Sequence, residues 1–289
     1  MNLFDLHSDT PYECFKFRIL PSDRRLAANI DQKKFFDKWD QFYAVWIKDD
    51  ETEPFKKYKD IITSFKEKLK RADIKPNIHF ALEGGAAIGQ DLENVSKLKE
   101  DNIEYITLTW NHKNNIAAGT YESGGITDFG KKVINKMNDL SIACDLSHSN
   151  DETFYKALEI SKYPVITHAC FKEITDHPRN FTVSQIKELF LRGGIFGICF
   201  YPEFAGEGDI FEKIYENIYR LSDLGFAENL AIGSDFDGAL MDKDLKNSCD
   251  TLKLYDYLLK KGIDKKSLDG IFYYNAFNYF KKLSERKKK

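Results

Sequence analysis

His7 and Asp9 stand two positions apart at the end of an apolar run, in "NLFDLHSDTP" (residues 2–11). The same placement recurs along the chain. Glu83 closes "NIHFALE" (77–83), Trp110 closes "EYITLTW" (104–110), and Asp145 and His148 fall at the end of "SIACDLSH" (141–148). His168 closes "YPVITH" (163–168), Tyr201 closes "GIFGICFY" (194–201), and Asp235 closes "NLAIGSD" (229–235) with Asp237 two residues on. Three of the six histidines occupy such ends. Any one of them alone fits a hydrogen-bonded structural role, but histidines and carboxylates converging on one rim have no such simple account. Carboxylates gathered in a low-dielectric cleft cannot all stay ionised without compensating positive charge, which a divalent metal supplies. Mixed imidazole and carboxylate donors suit zinc first, then manganese, cobalt or iron.

A catalytic zinc with an open position needs three protein ligands, whereas His7, Asp9, Glu83, His148 and His168 are five. Two zinc ions roughly 3.5 to 4 Å apart, sharing a carboxylate, would use them all. Glu83 suits the shared place because Gly84 and Gly85 follow it and let the backbone turn away; a plain strand-to-loop turn is the alternative for "EGG". Residues i and i+2 of a strand project to one side, so His7 and Asp9 are expected to converge on one ion straight from the first strand.

Elements of a definite kind must carry these residues. With "QFYAVWI" (41–47) the apolar or alternating runs number eight, and stretches of helical spacing lie between them: 54–72, 128–140, 151–162, 182–193 and 209–225. Thr127 or Asp128, Asn150 or Asp151, and Thr182 fit N-caps, while Gly193 and Gly225 fit helix ends. Eight strand–helix repeats in 289 residues predict an α/β fold of the (β/α)8 TIM-barrel type, in which active sites lie at the C-terminal ends of the strands. No Pro/Gly-rich break divides the chain, so one domain over 1–289 is expected.

Composition narrows the partners. Lys and Arg number 43 against 46 Asp and Glu, a net charge of −3 with no basic stripe, which argues against nucleic acid. Five widely spaced cysteines without a CxxC fit reduced thiols and a cytoplasmic location. No apolar segment approaches the ~20 residues of a membrane span, and no leader pattern precedes the first strand, so neither membrane association nor export is expected. The terminal "SERKKK" (284–289) fits a solvated tail.

"DLHSDTP", "ALEGG", "DLSH", "THACFKEITDHPRN" and "IGSDFDG", in this order, resemble the motif set of the membrane (renal) dipeptidase family of zinc peptidases in its shorter bacterial form, and "YYNAFNYF" (273–280) resembles that family's closing helix. The resemblance implies a (β/α)8 barrel holding two zinc ions per chain, with His7 and Asp9 on the first, His148 and His168 on the second, and Glu83 between. It further implies that Asp235 is the acid/base carboxylate, that Arg179 pairs with the free C-terminal carboxylate of a dipeptide, a task suited to a planar guanidinium, and that Tyr201 lies near the substrate, a core aromatic being its alternative. A homodimer is an assembly the resemblance allows.

Two departures stand out. The family often has a histidine where this chain has Trp110; His112, two positions later, is the candidate substitute, with a plain loop histidine as the alternative. Ala169 and Cys170 replace the hydroxyl residues that more usually flank the His168 position, and Cys170 fits a small buried filler. The expected reaction is amide hydrolysis of a dipeptide by a hydroxide bridging the metals. Rival expectations are a barrel hydrolase acting on another amide, a lactone or a phosphoester, and a silent zinc-binding barrel.

Overall fold

A computed structural model of the chain describes residues 1–73 and 75–285. The last four residues of the basic tail lie outside the described residues. Strand and helix alternate as β1 (Leu3–Asp5), α1 (Thr10–Lys16), β2 (Trp39–Trp46), α2 (Pro54–Leu69), β3 (Asn77–Glu83), α3 (Glu93–Glu100), β4 (Ile103–Thr107), α4 (Asp128–Asp139), β5 (Ala143–Asp145), α5 (Asp151–Ile160), β6 (Pro164–Ala169), α6 (Val183–Leu191) and β7 (Ile195–Ile198). The short α7 (Pro202–Ala205) and the longer α8 (Ile210–Asp223) lead to β8 (Leu230–Ile232), and α9 (Asp250–Lys260), α10 (Lys265–Asp269) and α11 (Asn275–Glu285) finish the chain. Each strand pairs in parallel with the next, and β8 returns to β1 through Asp5 and Ile232, closing an eight-stranded barrel.

Local chemistry starts the helices where the sequence predicts. Thr127, Asn150 and Thr182 accept the N–H three residues on, and Thr182 forms a reciprocal capping box with Gln185. Gly193 and Gly225 follow α6 and α8 at φ +74° and +86°, the left-handed position that ends a helix.

Two apolar layers hold the barrel. Outward-facing strand residues such as Tyr43, Val45, Leu82 and Ile106 pack under the helices, and inward-facing Phe4, Phe42, Ala81, Tyr105 and Val165 fill the interior with Tyr273 and Phe280 from the C-terminal segment. The Phe280 ring lies 4.6 Å from Phe42, so α11 plugs the N-terminal mouth. Asn275 anchors that plug by donating to the Ala227 and Leu230 carbonyls.

The strands are shorter than the apolar runs. β5 stops at Asp145 instead of 148, β8 at Ile232 instead of 235, and β4 at Thr107 instead of 110. His148, Asp235 and Asp237 adopt φ of +65°, +65° and +66°, a left-handed backbone incompatible with an extended strand. His148 and Asp235 therefore sit on rim turns just beyond the strands, while Glu83 and His168 lie within β3 and β6.

At the opposite mouth His79 of β3 is clamped between neighbouring strands: Nδ1 lies 2.8 Å from Glu104 and Nε2 3.1 Å from Asp40. Burial opposes its charge, yet the two carboxylates outweigh burial and raise its pKa to about 9. Because the folded value lies above the ordinary 6.5, this stabilisation is present in full below pH 6.5 and is lost as pH rises through about 9. It amounts to about 3 kcal/mol at most. A thermal-unfolding series from pH 6 to 9.5 should show a falling Tm, with a flatter profile in His79→Gln; parallel profiles would refute the clamp.

Candidate metal centre

The chain leaves β1 at Asp5, and the next residues turn sharply. Ser8 makes a single parallel bridge to Phe236, and Asp9, at φ −91° and ψ 17°, is already the N-cap of α1. His7 and Asp9 do meet, His7 Nε2 lying 3.4 Å from Asp9 Oδ2, but through this turn and not through a strand pleat. Asp5 holds the turn: its buried carboxylate accepts from the backbone N–H of His7 and from both the N–H and hydroxyl of Ser234. It thereby also fixes the segment that carries Asp235.

Glu83 ends β3 in the middle of the cluster. Its Oε2 lies 3.5 Å from His7 Nε2, while its Oε1 lies 2.8 Å from His148 Nε2 and 3.5 Å from His168 Nε2. One carboxylate thus presents an oxygen to each of two groups of donors. Donor atoms of His7, Asp9 and Glu83 fall within 4.8 Å of one another, as do those of Glu83, His148 and His168, and those of His7, His168 and Asp235. Gly84 gives Glu83 its room: at φ +93°, a Cβ there would meet the Ile47 carbonyl oxygen at 2.3 Å. Gly238 closes the other flank, where a Cβ would lie 2.1 Å from Asp9 Oδ2 and 2.5 Å from Asp235 Oδ1.

Hydrogen bonds on the outer side of the imidazoles show what the inner nitrogens offer. Tyr105 donates its single hydroxyl proton to the Leu6 carbonyl, so its oxygen can only accept from His7 Nδ1, 2.9 Å away. His148 Nδ1 faces the Asn111 side-chain oxygen at 2.8 Å, and His168 Nδ1 faces the Thr167 hydroxyl at 2.9 Å. The Nε2 atoms are left pointing inward. Those of His148 and His168 stand only 2.9 Å apart, and His7 Nε2 and Asp9 Oδ1 are buried without a hydrogen-bond partner. Lone pairs and carboxylate oxygens so crowded repel unless a cation lies among them. The donor set fits a divalent metal, and outer partners on each histidine are the arrangement metal-ligating imidazoles adopt.

The charges agree. Burial and Arg179 push His148 down to about 4, and burial with the nearby His7 holds His168 well below the usual range, so both rings are neutral, the ligating form. Burial disfavours a charged Glu83, but His7 and His148 outweigh it and hold the carboxyl well below its ordinary value. Burial and Glu83 raise Asp9 well above the carboxylate range. Asp235 is pushed up to about 7 by burial, against the pull of His7 and with the help of Glu83.

The cluster opens into a cleft of about 540 Å³ on the C-terminal rim, lined among others by Trp46, Trp110, Arg179, Tyr201 and Asp235. Arg179 is 2% exposed, yet its Nε and Nη1 have no hydrogen-bond partner; Nη2 touches the His168 carbonyl at 3.4 Å and the guanidinium lies over Phe204. Trp110 packs edge-on against Trp46 and beside His148. The Tyr201 ring stands edge-on to Phe204, on the Arg179 side. His112 does not join the cleft. Asp49 holds its backbone N–H and Glu122 its ring, and its side chain is 56% exposed. Cys170 is buried with its thiol on the Cys199 carbonyl, away from the ligand atoms. Nothing in the sequence singles out Tyr105, Asn111 and Trp46, because their roles depend on contacts with residues distant in the chain, and for Thr167 and Gly238, which lie inside or beside the quoted motifs, spacing does not show what they touch.

A model of the membrane dipeptidase family (peptidase family M19) matches residues 34–289. The chain belongs to the membrane dipeptidase family. The matched span includes Glu83, His148, His168, Arg179 and Asp235; it begins after His7 and Asp9, whose membership of the cluster rests on the distances above. Among curated members, a dipeptidase of Clonostachys rogersoniana is 31% identical over 190 residues, 63% of this chain and 49% of that protein. An uncharacterized dipeptidase of Schizosaccharomyces pombe is 27% identical over 238 residues, 77% of this chain and 56% of its own length. The chain spans about half the length of the curated relatives it matches. Solved dipeptidase-family folds superpose over nearly the whole of both chains. A dipeptidase described as a metallo peptidase of family M19 gives a TM-score of 0.87 at 19% identity, covering 97% of this chain and 98% of that one. A Rhodobacter sphaeroides metallo peptidase, bound to a phosphinate mimic of L-Ala-D-Ala, gives 0.86 at 18% identity, covering 97% and 99%. At these identities the likeness is one of fold.

Proposed function

We propose that this member of the membrane dipeptidase family is a dipeptidase that works with two divalent metal ions, zinc by the chemistry of its donors, in one (β/α)8 domain. The observation that supports it best is Glu83, whose two oxygens face separate donor groups, His7 on one side and His148 with His168 on the other. His7, Asp9 and Glu83 would hold one ion, and Glu83, His148 and His168 the second. When bound, such a pair supplies Lewis acidity and a water nucleophile at neutral pH.

The chain's own residues supply the rest. Arg179 offers two unpartnered buried N–H groups, which suit the free C-terminal carboxylate of a short peptide and fix it by paired hydrogen bonds. Tyr201 flanks that end of the cleft and Trp110 the other. Asp235, 3.9 Å from His7 Nε2, is placed to take the proton of the attacking water on its carboxylate and deliver it to the leaving nitrogen.

Metal analysis of purified protein together with an L,L and L,D dipeptide panel tests this. The expected result is two zinc equivalents per chain and hydrolysis of a dipeptide, with no turnover of its C-terminal amide, which has no carboxylate for Arg179. Turnover of a lactone or phosphotriester but of no dipeptide, or zinc-replete protein inert to every substrate, would overturn it.

A further inference from the structure

Asp145, the last residue of β5, lies outside the cleft and is wholly buried. It takes part in neither metal binding nor the proton transfer proposed above. Removing a carboxylate from water costs several kcal/mol, and packing alone would be served by an apolar side chain. What compensates here is a shell of donors. Oδ2 accepts from the Thr107 hydroxyl at 2.6 Å and the Thr167 hydroxyl at 2.8 Å. Oδ1 accepts from the Ser147 N–H at 3.0 Å, the Ser147 hydroxyl at 2.8 Å and the Thr167 N–H at 3.0 Å.

This shell has a directional consequence. A threonine hydroxyl has one proton, and that of Thr167 is committed to Asp145. Its oxygen, 2.9 Å from His168 Nδ1, can then only accept, so the ring proton must sit on Nδ1 and the lone pair on Nε2. Ser147 reinforces the geometry: its hydroxyl, donating to Asp145, accepts the Thr167 N–H at 3.0 Å and the His168 N–H at 3.3 Å. We propose that Asp145 is a positioning residue, which acts through the Thr167 hydroxyl to hold the inward-facing lone pair on His168. Its consequence for zinc rests on the two-metal reading; the order of protons does not.

The order reverses if the carboxylate becomes an amide whose NH2 faces the two hydroxyls. Thr167 would then accept from the amide and donate to His168 Nδ1, driving the ring proton onto Nε2, where it blocks ligation. Thr167→Val removes the relay outright. Thr107→Val withdraws one donor from Asp145 just as Thr167→Val does, but leaves His168 untouched.

The experiment compares metal-free wild type, Asp145→Asn, Thr167→Val, Thr167→Ser and Thr107→Val, each with ring-15N-labelled histidine. Two-bond 1H–15N correlations report the His168 tautomer, and zinc titration reports affinity. Wild type, Thr167→Ser and Thr107→Val should show the Nδ1–H tautomer. Asp145→Asn and Thr167→Val should lose it and bind the second zinc about 10- to 100-fold more weakly, as expected for an outer-sphere partner. If Asp145→Asn does not fold, the valine pair decides. An unchanged tautomer and affinity in Thr167→Val, or equal losses in Thr107→Val, would overturn the relay. A wild type that binds no zinc would overturn the metal reading instead, while the tautomer in metal-free protein would still decide the relay.

Discussion

Glu83→Gln is expected to lose most bound metal and nearly all turnover. The substitution keeps volume and the 3.5 Å and 2.8 Å approaches to His7 and His148, but it replaces an anion with a neutral amide. One of the two donor groups then faces an NH2, which has no lone pair to offer a cation, and the other keeps an oxygen but loses the negative charge that the two groups shared. The loss should exceed the about 10- to 100-fold typical of removing an outer-shell partner, because both ions share this residue. Metal content by mass spectrometry and turnover on the best dipeptide measure it together. Circular dichroism should be unchanged, since Glu83 is a rim residue beyond the barrel's apolar layers. A Glu83→Gln protein with two metal equivalents and wild-type rates would remove the shared-carboxylate arrangement from consideration.

The barrel and the types of its rim residues were legible in the sequence because both follow from local pattern. Eight short apolar runs separated by helical spacing with Thr127, Asn150 and Thr182 as caps leave few alternatives to a closed parallel sheet. What pattern could not supply was the exit geometry. The run "SIACDLSH" (141–148) opens on Ile142, Ala143 and Cys144 and passes for strand to its end, yet His148 is left-handed at φ +65°, and Asp145 points away from the cleft into its own shell of hydroxyls. His7 and Asp9 illustrate the same limit: they converge, but Asp9 is a helix cap and not a strand residue. His112 shows the opposite error, since proximity in sequence to Trp110 suggested a shared cleft, while its ring turns to Glu122 and solvent and of the two only Trp110 lines the cleft. The outer partners Tyr105, Asn111 and Thr167 come from strands or loops other than those of the histidines they touch, or act through a third residue, so no spacing encodes them.

Asp235→Asn separates two roles that distance alone leaves together. Asp235 Oδ1 lies 3.9 Å from His7 Nε2, and its donor atom groups with those of His7 and His168 as readily as Asp9 groups with His7 and Glu83. A ligand and a proton carrier would both stand here. The two differ in what an amide removes. Asparagine retains an oxygen and the hydrogen-bonding shape of the turn, in which the backbone N–H of residue 235 donates to the His7 carbonyl, and Asp5 continues to hold Ser234. It cannot accept and release a proton. If Asp235 carries the proton from the attacking water to the leaving nitrogen, the variant should keep both metal equivalents and a near-normal KM, since Arg179 still anchors the carboxylate, and kcat should fall by about 10²- to 10⁴-fold, the usual worth of a positioned acid/base. If it is a ligand, metal content should fall with activity. Stopped-flow turnover and metal analysis on the same preparation distinguish the two: unchanged kcat removes Asp235 from proton transfer, and loss of one metal equivalent makes it part of the metal shell. The cleft favours the first outcome, because Glu83 supplies one oxygen to each donor group and the three imidazoles with Asp9 complete three protein ligands for each ion without Asp235.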